Sequence, residues 1–148
     1  MEIHKIIDKV KELEKTIDDY DTATLLAAEA TNLLAKTNSE TDEKKVEQLE
    51  QEYEESVKEL EEMGSKCFNL QDEIVISIAT EVENKKLRGS LVALMLSRPD
   101  FAGLDQKAME ELGQNKPATE SITYVHQIFI EHSKMVARKT IQALEPLL

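Results

Sequence analysis

The sequence predicts an all-α protein: a long antiparallel coiled-coil helical hairpin joined to a C-terminal helical bundle. Three observations lead there. The 148 residues include only four Gly and three Pro, too few for the tight turns that all-β and doubly wound α/β folds require. The chain is 41% hydrophobic and 32% charged, rich in the Ala, Leu, Glu and Lys that favour helix. Finally, apolar residues recur at alternating steps of three and four over most of the N-terminal half.

The first helix carries that periodicity most clearly. Ile3, Ile6, Val10, Leu13, Ile17 and Tyr20 form a heptad seam that continues through Thr24, Ala27, Thr31 and Leu34. No Gly or Pro interrupts Met1 to Thr37, so an unbroken helix about 48 Å long is expected over Ile3–Leu34. The small residues at 24, 27 and 31 admit a close neighbour. Leu25, Leu26 and Leu33 lie beside the seam and offer contact to a second partner. Asp18-Asp19-Tyr20-Asp21-Thr22 also suits a helix end followed by a new N-cap, the less favoured alternative.

Thr37–Thr41 reads as a turn. Ser39 and Asp42 have capping-box spacing, and Asp42 and Glu43 suit a helix N-terminus. The second helix aligns Val46, Leu49, Tyr53, Val57, Leu60 and Met63 on one face, extended by Cys67, Leu70, Ile74, Ile78 and Val82. Gly64 is its one breaker before Asn84 and marks a kink or an end, since Gly costs about 1 kcal/mol in a helix interior. A short turn between two long amphipathic helices makes them antiparallel neighbours.

The remainder has a different texture. Ile74–Ala79 and Leu91–Leu96 are apolar nearly all round, which predicts burial on all sides, inside a bundle or against another subunit. Pro99 stops the second run. Asp105 suits an N-cap, Leu104 and Met109 a hydrophobic staple, and Gly113 a C-terminal cap of a short helix. A final helix from about Thr119 to Leu144 aligns Ile122, Val125, Phe129, His132 and Val136, widened by Ile128, Met135 and Ile141, and Pro146 ends it. The β-branched content of 73–82 and 122–130 also fits strands; the helical surroundings favour helix. The expected organisation is a hairpin over 1–64 and an apolar bundle over 65–148, in one continuous domain.

Chemistry is sparse. One cysteine, Cys67, cannot form an internal disulfide or a Cys-rich zinc site, and a reducing cytoplasm is the simplest expected location. Lys66 beside it would lower the thiol pKa slightly, but with no evident His partner a structural thiol is expected. No window approaches the roughly 18 apolar residues of a membrane span. Glu47/Glu50, Glu52/Glu55 and Glu59/Glu62 stand at i, i+3, a spacing that can hold Mg²⁺ or Mn²⁺. All-α nucleotide pyrophosphatases add a later Glu-x-x-Asp pair, which is absent from this sequence, and a Glu-rich run produces such pairs by chance. His126 and His132 diverge by roughly 120° on a helix, and neither follows a Glu by three residues as a di-iron bundle requires. His132 reads as a packed or interface histidine. Walker, G-x-G-x-x-G, H-E-x-x-H and G-x-S-x-G motifs are absent. Lys85, Lys86 and Arg88, and Lys134, Arg138 and Lys139, form basic clusters. They suit phosphate or an acidic partner, but helix C-terminal dipole partners are the preferred reading.

The formal charge is −12, and residues 40–63 hold three basic against eleven acidic groups, a local −8. Such acidity opposes direct nucleic-acid or anionic-membrane binding. No cofactor or metal is expected. The expected role is a non-enzymatic interaction module, an adaptor or assembly subunit, that packs helices with a protein partner or itself as a homo-oligomer. Val57, Leu60, Ile74, Ile78, Leu91 and Leu94 are its candidate contacts. The alternative is a small acidic inhibitor whose Glu50, Glu54 and Glu61 occupy a basic surface of a target. A second alternative is an all-α metal-dependent hydrolase using the Glu pairs.

Overall fold

The computed structural model describes residues 2–36, 42–99, 110 and 118–148, with backbone alone for 118–125. Among these, four α-helices follow in order: α1 (Ile3–Ala35), α2 (Glu43–Glu81), α3 (Lys85–Met95) and α4 (Ala118–Leu144), closed by a 3₁₀ turn at Glu145–Leu147 that contains Pro146. No described residue is in a strand; 73–81 and 122–130 are helical. The fold class is the all-α hairpin and bundle that the composition predicts. The cap and staple positions Leu104, Asp105, Met109 and Gly113 lie outside the described residues, as does Ser39.

The chain forms two compact units. One is a hairpin unit, residues 15–69; the other is a bundle unit, residues 1–14 and 70–148. α1 and α2 each contribute residues to both units.

In the hairpin unit α1 is unbroken across Asp18–Thr22. Asp42 caps α2, its carboxylate accepting from the Lys44 amide at 3.1 Å, which satisfies one of the amides a helix start leaves without a partner. Gly64 lies under the Tyr20 ring, and Asp19 acts on Cys67. These two pairs set an antiparallel register that brings Val57 and Leu60 level with Ala27 and Thr24. The buried α1 face comprises Thr16, Ile17, Ala23, Ala27 and Ala30. Thr24 and Thr31 occupy this stretch at little polar cost, since their hydroxyls donate back to the Tyr20 and Ala27 carbonyls at 2.9 and 2.7 Å. The heptad reading put Thr31 on the buried side. It is exposed, and Ala30 takes its place, because a methyl-sized side chain lets the facing helix approach on that flank. On α2 the expected face is found, but each of its residues from Val46 to Cys67 is only half-buried. Two helices alone cannot enclose a seam.

Gly64 neither kinks nor ends α2, which continues to Glu81. A Cβ there would lie 3.4 Å from Tyr20 Cε2, an ordinary contact. Gly64→Ala is therefore expected to stabilise the chain by about 0.8 kcal/mol through helix propensity. A thermal midpoint unchanged or lowered in a melting experiment would show that the ring cannot accept the methyl group.

The bundle unit has the true core. Ile3, Ile6, Ile7, Val10 and Leu13 of α1, Leu70, Ile74 and Ile78 of α2, Val82 just after it, Leu91 and Met95 of α3, and Ile130, Val136, Ala137 and Leu144 of α4 are buried. Asn84 starts α3: its backbone is extended (φ −68°, ψ 112°) and its side chain accepts from the Leu87 amide at 3.0 Å. Arg88 Nη1 donates to the Val82 carbonyl at 3.3 Å, and Gln71 Nε2 donates to the Met95 carbonyl at 2.6 Å. The Thr140 hydroxyl donates to the Val136 carbonyl at 2.8 Å and lies 3.6 Å from the Met95 sulfur. No buried side-chain nitrogen or oxygen among the described residues lacks a partner.

Two expectations are corrected here. The runs 74–79 and 91–96 are not buried all round: Ile74 and Ile78 are fully enclosed, while Ile76 is 66% exposed and Leu96 also faces solvent. Each run contributes one face, as an ordinary amphipathic helix does. The buried stripe of α4 is likewise not the one built on Phe129 and His132. It runs through Ile130, Ala137, Thr140 and Leu144, with Val136 beside it, and leaves Phe129 exposed. Weighting by side-chain size favoured Phe129 and His132 over Ala137 and Thr140, both fully enclosed.

Candidate interaction surface

The sequence-predicted contact residues separate into three groups. Ile74, Ile78 and Leu91 are core residues of the bundle unit, so no partner reaches them while it is folded. Leu94 is half-buried in the same unit, and Val57 and Leu60 are half-buried along the hairpin seam. Glu50, Glu54 and Glu61 are exposed on α2. The candidates therefore do not form one surface. The periodicity that singled out the apolar ones is the periodicity of burial within the chain itself.

The surface that does stand out is on α1 in the hairpin unit. Leu25, Leu26 and Leu33 are 57%, 48% and 40% exposed. At 100° per residue they span roughly 100° of arc, centred roughly 105° around α1 from the Ala23, Ala27 and Ala30 seam. The equivalent heptad positions earlier in the helix carry Lys11, Asp18, Glu12 and Asp19. From Thr22 to Ala35 the only charged residue is Glu29, which falls between the leucines. This part of α1 thus carries a second apolar stripe roughly a quarter-turn from the seam, exposed where the seam is buried. The doubled stripe was visible in the sequence as leucines beside the seam, but charge depletion on the outer face was the stronger signal. Phe68 of the same unit is also largely exposed.

The glutamates form a solvated face. Glu52 and Glu55 accept from Gln48 and Gln51 one turn earlier at 3.3 and 3.4 Å, so the local hydrogen bonds are those of an ordinary helix surface. Among the described residues no group of three His, Cys, Asp or Glu side chains converges as a metal set.

One Ser–His contact crosses elements. Ser97 Oγ lies 3.0 Å from His132 Nε2, and the Ser97 carbonyl lies 3.3 Å from the same nitrogen. Ser97 Oγ itself donates to the Leu94 carbonyl at 2.6 Å. A carbonyl only accepts, so the assignment that satisfies all three contacts makes Nε2–H the donor to both Ser97 oxygens. The imidazole is then not a base toward that hydroxyl, and the C-terminal end of α3 presents carbonyls, the wrong polarity for an oxyanion. The contact fastens the end of α3 to α4. The sequence offered no sign of it, since the two residues are 35 apart.

The basic clusters are not the C-terminal dipole partners expected. Lys85 and Lys86 open α3, and none of the four described helices has a basic residue in its last turn. Arg88 instead donates to the Val82 carbonyl just beyond α2, and Arg138 approaches Glu14 at 3.8 Å in an exposed pair, a contact of small energetic weight. Lys5 and Lys9 line a shallow cleft with Glu2, Ile6, Ile76, Ser77, Thr80 and Glu81. Lys5 pairs with Glu2 at 2.7 Å and Lys9 approaches Glu73 at 4.0 Å, so carboxylates already answer both ammonium groups.

Cys67 departs from expectation in sign. Burial pushes its thiol pKa up, the Asp19 carboxylate pushes it further, and Lys66 offsets only part of this. Its folded-state pKa lies above the unfolded value. Its stabilising contribution is therefore complete below the unfolded pKa and is lost as pH rises through the folded one. Alkylation by iodoacetamide at pH 8 is expected to be severalfold slower than in denaturant and faster in Asp19→Asn; equal rates in all three would contradict the assignment.

No described helix is long and apolar enough to cross a membrane. No protein-family model, curated protein or solved structure matches the chain at a significant level.

Proposed function

We propose that this chain is a non-enzymatic interaction module that works by helix packing, binding a protein partner or a second copy. The observation that supports it is the Leu25–Leu26–Leu33 stripe, exposed on α1 and centred roughly 105° from its own hairpin seam. Apolar side chains clustered on one helix face, on a chain with ample charge to place there, mark a contact surface. The test is Leu25→Ser/Leu26→Ser/Leu33→Ser. All three side chains are exposed, so the helical circular dichroism should persist. Association in sedimentation, or retention of a defined host partner, should be lost. Association that survives unchanged in the folded variant would refute the reading.

A second reading rests on Glu50, Glu54 and Glu61, all exposed on α2 within the −8 segment. Here the acidic face inhibits a target by occupying its basic surface. Reversing the three to Lys should then abolish target binding, and unchanged binding would dismiss it. Neither reading assigns a catalytic residue or a cofactor.

A further inference from the structure

We infer that the occupant of the α1 stripe is a cationic amphipathic helix of another protein, rather than a second copy of this chain; this rests on the interaction-module reading and specifies its partner. The stripe has the width and the i, i+1, i+8 leucine spacing that an apolar helix face covers. Two electrostatic facts select the sign of what lies on it. The hairpin unit as a whole carries six basic and fifteen acidic residues, net −9. A second copy would bring an equal −9 within a few Debye lengths. The one charge within the stripe is Glu29, exposed and flanked by the leucines. Two copies pairing symmetrically about the middle of the stripe would place Glu29 against Glu29. A helix with leucine-like residues at three- and four-residue spacing and Lys or Arg between and beside them meets both features. Its apolar face covers Leu25, Leu26 and Leu33, a central cation answers Glu29, and its charge is opposite to that of the unit as a whole.

The experiment uses the full chain and two fluorescent helical peptides of about 18 residues, one of Leu and Lys and one of Leu and Glu with the same apolar pattern. The Leu/Lys peptide is expected to bind at least tenfold more tightly than the Leu/Glu peptide. Its affinity should fall at least tenfold in Leu25→Ser/Leu26→Ser/Leu33→Ser and severalfold in Glu29→Lys. Leu96→Ser, on the bundle unit, should leave it unchanged. Binding of the Leu/Lys peptide that ignores the leucine substitutions is mere charge attraction and overturns the inference. Sedimentation of the chain alone separates the two levels of the argument. A dimer abolished by the triple substitution and strengthened by Glu29→Gln refutes the cationic partner but leaves the interaction module standing. Indifference of both peptide binding and self-association to the leucines refutes the inference and the module reading together.

Discussion

Ile78→Ala is expected to lower stability by about 3–4 kcal/mol, within the range for a fully buried large-to-small change. Ile78 is 0% exposed, on the α2 face that also buries Leu70 and Ile74. The substitution removes three carbons from that environment and leaves a cavity that rigid helices on several sides cannot close. The midpoint of thermal unfolding should drop on the order of 10 °C for a domain of this size. Ile78→Val should cost about 1 kcal/mol. The instructive control is two residues away: Ile76, 66% exposed, should tolerate Ala within about 0.5 kcal/mol. Denaturant unfolding of the three variants decides the matter. Equal losses at 76 and 78 would mean that the run is enclosed on both sides.

Ala137→Leu tests the opposite limit. Ala137 is 0% exposed on α4, in line with Leu144 and with Thr140, whose hydroxyl lies 3.6 Å from the Met95 sulfur of α3. Three added carbons have nowhere to go without moving a helix or forcing a strained rotamer, a cost of about 1–3 kcal/mol. Ala28→Leu, on the exposed side of α1, should be nearly neutral. A stabilised Ala137→Leu in chemical denaturation would reveal an unfilled space there and a different packing of α4.

These two experiments also locate the boundary of what residue patterns convey. Helix extent was legible. The absence of Gly and Pro over Met1–Thr37 foretold an unbroken α1, Asn84 marked the break before α3, and Pro146 the end of α4, because backbone breakers act through local geometry. The seam from Ile3 to Ile17 and the α2 face from Val46 to Cys67 were legible as well, since large apolar residues at fixed spacing have one place to go. The buried stripe of α4 was not. Phe129 and His132 outweighed Ala137 and Thr140 by size, and only the packed structure shows that Ala137 and Thr140 are the enclosed pair; the Ile122 and Val125 side chains lie outside the described residues. The same holds for Ala30 over Thr31 on α1.

The candidate surface followed a similar division. Leu25, Leu26 and Leu33 stood beside the seam in the sequence, yet Ile74, Ile78 and Leu91 drew more attention as contact residues because apolar runs look the same whether a chain buries them itself or offers them to another. Burial separates the two cases. What the sequence by itself determined was a set of helices, their ends and their charge: acidity concentrated in 40–63 and a stretch of α1 from Thr22 to Ala35 whose one charge is Glu29. What only the tertiary structure decided was which side of each helix is enclosed. A helix of twenty or thirty residues has several stripes that could be buried, and their energies differ by less than the packing of the neighbouring helices contributes.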